Sequence, residues 1–126
     1  LAVMDLTAEF YLQTVQTVFV DHALPEGTMR HGDVPVDLKA IRRCAILAVG
    51  GENDDISGGG QTKAALDLTP NLPEDRKASH LQVEVGHYGV FNGARYRARI
   101  APRIASFIRE MSAEAERRVP YLRSVG

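Results

Sequence analysis

Two short segments carry most of the chemistry this chain offers: Gly51-Glu52-Asn53-Asp54-Asp55-Ile56-Ser57-Gly58 and Gly86-His87-Tyr88-Gly89. Each follows a short apolar run that reads as a buried strand. A carboxylate beside an imidazole is an acid–base device. The carboxylate accepts the Nδ1 proton, fixes the tautomer and stabilises the imidazolium that forms when the ring takes a proton. An unperturbed histidine, with a pKa of about 6.5, is mostly neutral at cellular pH, as a general base must be. Asp54 is the candidate acid and His87 the candidate base. Asp55 competes with Asp54 for the first role, since two adjacent ionised carboxylates repel and one of them is free to face solvent or cap the next helix. Taken singly, an aspartate in a glycine-rich loop reads as a turn or cap residue, and a histidine beside glycine reads as structural. Their joint placement at consecutive strand ends is what points to catalysis.

The elements that must hold this pair follow from the pattern. Cys44-Ala45-Ile46-Leu47-Ala48-Val49 is a continuous apolar run stopping at Gly50-Gly51, as in a strand covered on both faces of a mostly parallel sheet. Residues 61–68 read as a helix closed by Thr69-Pro70-Asn71, residues 71–79 as loop, and His80 to Val85 as the next strand. After a loop over 86–91, a helix is expected over 93–111. Tyr96, Ile100, Ile104, Phe107, Ile108 and Met111 share one of its faces, and Pro102 should kink it or break its start. Between the two strand ends there is room for one helix and one strand, which brings the acid and histidine loops side by side. Catalytic groups in open α/β sheets gather at those carboxyl ends.

Upstream, residues 5–22 read as a helix capped by Asp5, with Tyr11, Leu12, Val15, Val18 and Phe19 forming an apolar stripe. Leu24-Pro25-Glu26-Gly27 ends it. Residues 28–36, around His31-Gly32-Asp33, suggest a small hairpin, and Asp37 can cap a short helix through Arg43. The tail from Ser112 is charged and then irregular, and disorder is expected there. Strand, helix, strand, helix makes two β/α units of a wound sheet. Two strands cannot stabilise a parallel sheet alone, so further chain before Leu1, or a second copy, is expected to complete the fold.

Other arrangements fail on inspection. Gly58-Gly59-Gly60-Gln61-Thr62-Lys63 lacks the order of a phosphate loop. Asn53-x-Asp55-x-Ser57-Gly58 starts like a calcium loop but has Ala64 where the closing glutamate belongs. His22, His31, His80 and His87 lack zinc spacing, so no metal or cofactor is expected, and His80 reads as structural. The arginines at 95, 97, 99, 103, 109, 117 and 118 read as a solvated helix face with partners such as Glu110 and Glu114. In α/β-hydrolases the triad runs nucleophile, acid, histidine, and Asp54 followed by His87 keeps that order. No nucleophile is visible: Ser57, Ser79, Ser106, Ser112 and Ser124 all lie outside Gly-x-Ser-x-Gly. Cys44, without flanking glycines, reads as a small buried residue at a strand start.

Composition sets wider bounds. The 126 residues are 44% hydrophobic and 25% charged, with a net charge of -1, as in a soluble globular domain. That charge gives no support for nucleic acid or an anionic membrane as partner. A single cysteine fits a reducing compartment, and no apolar stretch approaches the roughly 18 residues needed to span a bilayer. Asp5 and Glu9 stand where a signal peptide would be basic and then apolar, so a cytoplasmic location is expected.

With these residues in hand, the chain resembles the C-terminal region of intracellular polyhydroxyalkanoate (polyhydroxybutyrate) depolymerases. The resemblance rests on the run from Gly51 to Gly58 leading into Gly60-Gln61-Thr62, and on Gly86-His87-Tyr88-Gly89-Val90-Phe91. Tyr11-Leu12-x-Thr14-Val15 and Arg95-Tyr96-Arg97 through Ile100-x-Pro102-x-Ile104 support it. Related polyester synthases share the plan but usually place histidine after the acid, where this chain has Asp55. The resemblance implies the C-terminal part of an α/β-hydrolase fold, incomplete in this chain, that cleaves polyhydroxybutyrate esters at cytoplasmic granules. It implies Asp54 as acid, His87 as base and a Ser or Cys nucleophile upstream, so that the isolated piece is inactive. The polymer or granule surface is the implied partner, and a homo-oligomer is possible. Residues 1–36 would then be a helix and small insert of cap-like character, 37–111 the β/α units carrying the site, and 112–126 a tail. Two alternatives stand beside this reading: another esterase or acyltransferase of the same fold, and a non-catalytic module binding a granule or partner.

Overall fold

A computed structural model describes residues 5–118 of the chain, which divides into two units, one ending at Ala40 and the other beginning at Ile41.

The first unit opens with helix α1, Ala8–Thr14, which continues into π-helical turns over Val15–Val20. Thr7, rather than the expected Asp5, is its N-cap. Thr7 is extended, and its Oγ1 accepts the Phe10 N–H at 3.3 Å, satisfying one of the donors a helix start leaves open. Val15, Thr17, Val18 and Val20 crowd the next turns with branched Cβ atoms. There the ladder widens, and the Asp21 N–H reaches Gln16 O at 2.8 Å. Gln16 also donates from its side chain to Asp21 Oδ1 (2.6 Å), and His22 leaves the helix at φ 47°. The apolar stripe exists but stays open: Leu12 is 64% and Phe19 69% exposed, with Tyr11 and Val18 also exposed. The expected hairpin forms from β1, Arg30–His31, and β2, Val34–Pro35, paired antiparallel across Gly32. Asp37 accepts the Lys39 N–H (2.9 Å) as a cap should, but the turn it starts is a single 3-10 turn, Leu38–Ala40.

In the second unit, β3 (Ile46–Gly51) and β4 (Lys77–Gln82) form a parallel pair, in register from Ile46 opposite Lys77 to Gly51 opposite Gln82. Helix α2, Gln61–Asp67, makes the crossover. Strand β4 begins and ends earlier than the sequence suggests. A 3-10 turn at Glu74–Arg76 delivers the chain in extended form to Lys77, whose ammonium pairs with Glu74 (2.9 Å). At the other end Glu84 takes a left-handed φ of 55°, which no strand can continue through. The expectation that β3 is covered on both faces is also corrected. Ala48 and Gly51 are buried, whereas its other residues are half-buried. One partner strand, one short helix and the turn at His87–Val90 cover only part of so apolar a run.

The core gathers Leu66, Leu72, Val85, Val90, Ile100 and Phe107, with Leu72 and Ile100 wholly enclosed. After a 3-10 turn at His87–Val90, the last helical stretch comprises α3 (Gly93–Arg95), π-helical turns (Tyr96–Ile100) and α4 (Ala101–Arg118). The break foreseen at Pro102 takes this form: the Ala101 N–H reaches back to Tyr96 O just before the residue that has no N–H to give. Disorder from Ser112 is corrected as far as Arg118, because Ala113, Glu114, Ala115 and Arg117 favour helix strongly enough to carry α4 onward. The rest of that predicted tail lies outside the described residues. The class is therefore mixed α/β, with one parallel and one antiparallel pair.

Candidate active site

The site begins with two glycine-dependent approaches. At the end of β3, a Cβ on Gly51 would lie 2.4 Å from Val85 O and 3.2 Å from Val90 Cγ2. Only glycine lets the acid strand pass this close to the backbone that leads into the histidine turn. On the other side, a Cβ on Gly89 would meet Val85 Cγ1 at 2.7 Å. Backbone bonds then stitch the loops together: Glu52 N–H donates to Gln82 O and Asn53 N–H to Val85 O, each at 3.0 Å.

Asp54 sits at the head of this seam. Its Oδ1 accepts the backbone N–H groups of Ile56 (3.0 Å) and Ser57 (2.8 Å), a local turn that fixes the carboxylate plane. His87 Nδ1 lies 3.1 Å from Oδ1 and 3.0 Å from Oδ2. The Asp54 side chain is only 6% exposed and the imidazole 26%, so the contact is partly shielded from water. The Ser57 N–H chiefly, with the His87 hydrogen bond and the Ile56 N–H, holds the Asp54 carboxyl below its ordinary value of 3.8, against the opposing effect of burial. With Nδ1 donating to the carboxylate, Nε2 is the ring nitrogen left to take or give a proton. The rings of Tyr88 and Phe91 stand edge-on to the imidazole at 5.5 and 5.7 Å.

The depressed Asp54 value makes stability depend on acid in a known sense. A carboxyl group with a lower value folded than unfolded stabilises fully above the unfolded value, and the contribution is lost as pH falls through the folded one. Any melting-temperature advantage of the wild type over Asp54→Asn at neutral pH should therefore shrink on acidification through and below 3.8. An advantage that does not change with pH contradicts this assignment of the charge.

The other residues singled out in the sequence fall elsewhere. Asp55 is exposed, and the carboxylate against His87 is that of Asp54. His80 Nε2 lies 3.2 Å from Gln82 Oε1, a neighbour on the same strand. Cys44 is exposed, which corrects the reading of it as a buried strand residue; the strand starts two positions later at Ile46. A small cavity is lined by Ser57, the Gly58-Gly59-Gly60 turn, Thr62, Lys63 and His80. Asp54 and His87 are not part of its wall.

Sequence reading missed the fastening around the pair. Arg95 is solvent-exposed as expected, but its partner is not one of the expected glutamates of its own helix: its Nη2 pairs with Glu84 Oε2 at 2.6 Å and its Nη1 donates to Glu84 O. The farther arginine Arg103 behaves as expected and approaches Glu110 at 3.9 Å. The one signal for Gly51 was its place, closing an apolar run just before the acid loop.

Among the described residues, no helix is long and apolar enough to cross a membrane. No curated protein and no solved structure matches the chain. A family model does: PHB de-polymerase C-terminus, over residues 1–112. That span takes in both strand ends, the glycine approaches and the whole Asp54–His87 contact, and the chain belongs to the PHB de-polymerase C-terminus family.

Proposed function

We propose that this chain supplies the acid and base of an α/β-hydrolase triad that cleaves the ester bonds of stored polyhydroxybutyrate, with a Ser or Cys nucleophile contributed from sequence upstream of residue 1. The observation that carries the reading is the 3.0 Å contact between His87 Nδ1 and Asp54, in a member of a family named for depolymerisation. In this mechanism His87 Nε2 takes the proton of the nucleophile as its oxygen or sulfur attacks the ester carbonyl. Asp54 stabilises the imidazolium so formed. The same proton passes to the departing alkoxide as the carbon–oxygen bond breaks, leaving an acyl-enzyme. Nε2 then takes a proton from water, whose oxygen attacks the acyl carbon, and returns it to the nucleophile as the free acid leaves.

A polyester is an apolar substrate. The open stripe of Tyr11, Leu12, Val18 and Phe19 is suited to lie against such a surface, and a place on cytoplasmic granules follows from that substrate. The test is incubation of the full-length protein with amorphous granules. Released hydroxybutyrate is the expected result. Hydrolysis of unrelated esters with none from granules would replace this reading with a different acyl substrate of the same chemistry. The same stripe also favours a second reading, a non-catalytic granule-binding module. On that reading His87→Ala would leave every measurable function of the protein intact.

A further inference from the structure

We propose that Glu52, Glu84 and Arg95 form a positioning clamp that sets the His87 turn against the Asp54 loop; as a statement about turnover, this rests on the hydrolase reading above. Glu84 is the hinge. It is a non-glycine residue at φ 55°, a conformation that persists only where its surroundings enforce it. All its polar groups are engaged. Its N–H donates to Glu52 Oε2 at 2.8 Å, its carbonyl accepts from Arg95 Nη1, and its carboxylate accepts from Arg95 Nη2 at 2.6 Å.

The partners come from opposite sides of the catalytic pair in sequence. Glu52 precedes Asp54 in the acid loop, and Arg95 lies in α3, beyond the histidine turn. The reversal at Glu84 buries Val85, and the Val85 carbonyl then receives the Asn53 N–H at 3.0 Å. One clamp thus fastens the strand exit to the acid loop before His87 and to the helix after it. The Arg95 and Glu84 side chains are 49% and 70% exposed, and an ion pair so open to water adds little to stability. The contribution of the clamp is therefore one of geometry, holding the imidazole at its distance from the carboxylate.

The test uses the full-length protein with Glu52→Ala, Glu52→Gln and Arg95→Ala, none of which touches the reacting atoms. Turnover of a soluble hydroxybutyrate oligomer is measured, along with the lifetime of the His87 Nδ1 proton against exchange with water by NMR. Glu52→Ala and Arg95→Ala should lower kcat about 10–100-fold, as expected for a misplacement on the order of 1 Å. KM should stay within about two-fold, because uniform binding is untouched. Both should shorten the proton lifetime. Glu52→Gln keeps an oxygen acceptor for the Glu84 N–H and should restore both quantities. Wild-type kcat and proton lifetime in folded Glu52→Ala and Arg95→Ala overturn the clamp, as does Glu52→Gln behaving like Glu52→Ala. Should Arg95→Ala fail to fold, the two Glu52 variants decide alone. A wild-type protein without turnover defeats the hydrolase reading, while the proton lifetimes still decide the clamp.

Discussion

On the proposed hydrolase reading, Asp54→Asn in the full-length protein should lower turnover of polyhydroxybutyrate about 10⁴-fold, the scale on which a triad acid acts when its replacement leaves the geometry intact. Geometry should survive here, because an asparagine Oδ1 can still accept the Ile56 and Ser57 N–H groups that hold the loop. What changes is the partner of His87 Nδ1. An amide carries no charge to stabilise the imidazolium, and if its NH₂ faces the ring it favours the wrong tautomer. His87→Ala, which removes the proposed base, should cost at least as much. Asp55→Asn should be tolerated, since Asp55 is exposed and the contact belongs to its neighbour. Initial rates on granules for the three variants give the answer. A protein disabled by Asp55→Asn alone would reassign the acid.

The second large effect concerns a residue with no side chain. Gly51→Ala should destabilise the second unit by about 1–3 kcal/mol, the usual cost of forcing an extra methyl group into packed structure. The collision is at 2.4 Å with the Val85 carbonyl, a backbone atom that cannot rotate away. Relief requires the β3 end to move off the segment leading to His87, so turnover should fall with stability. Gly50→Ala is the matched control: its Cβ would meet nothing closer than 3.8 Å, and that atom is the end of the Leu81 side chain. Denaturant melts should place Gly50→Ala near wild type or slightly above it, and Gly51→Ala well below. Equal midpoints for the two would show that the close approach costs nothing.

The parts of this molecule readable in advance are those encoded locally. An unbroken apolar run ending in Gly50-Gly51 announces β3, a turn at His31-Gly32-Asp33 announces the hairpin, and a carboxylate and a histidine after successive runs announce the pair. The misreadings have non-local causes. Strand β4 starts at Lys77 because its pairing to β3 sets its limits, although Lys77-Ala78-Ser79 has little strand character. Arg95 looks like one of many arginines until the fold brings Glu84 to it. The left-handed turn at Glu84 has no glycine to signal it. At the far end, charge in the stretch after Ser112 suggests disorder, whereas its alanines and glutamates continue a helix already nucleated by packing.

The central claim is that the Asp54 carboxylate holds the His87 proton on Nδ1, so that Nε2 faces the chemistry as a base. The ¹⁵N chemical shifts of the His87 ring in the full-length protein, at a pH where the imidazole is neutral, read this directly. A protonated Nδ1 and a bare Nε2, reversed or mixed in Asp54→Asn, is the predicted outcome. A wild-type ring protonated on Nε2, with Nδ1 bare, would contradict it.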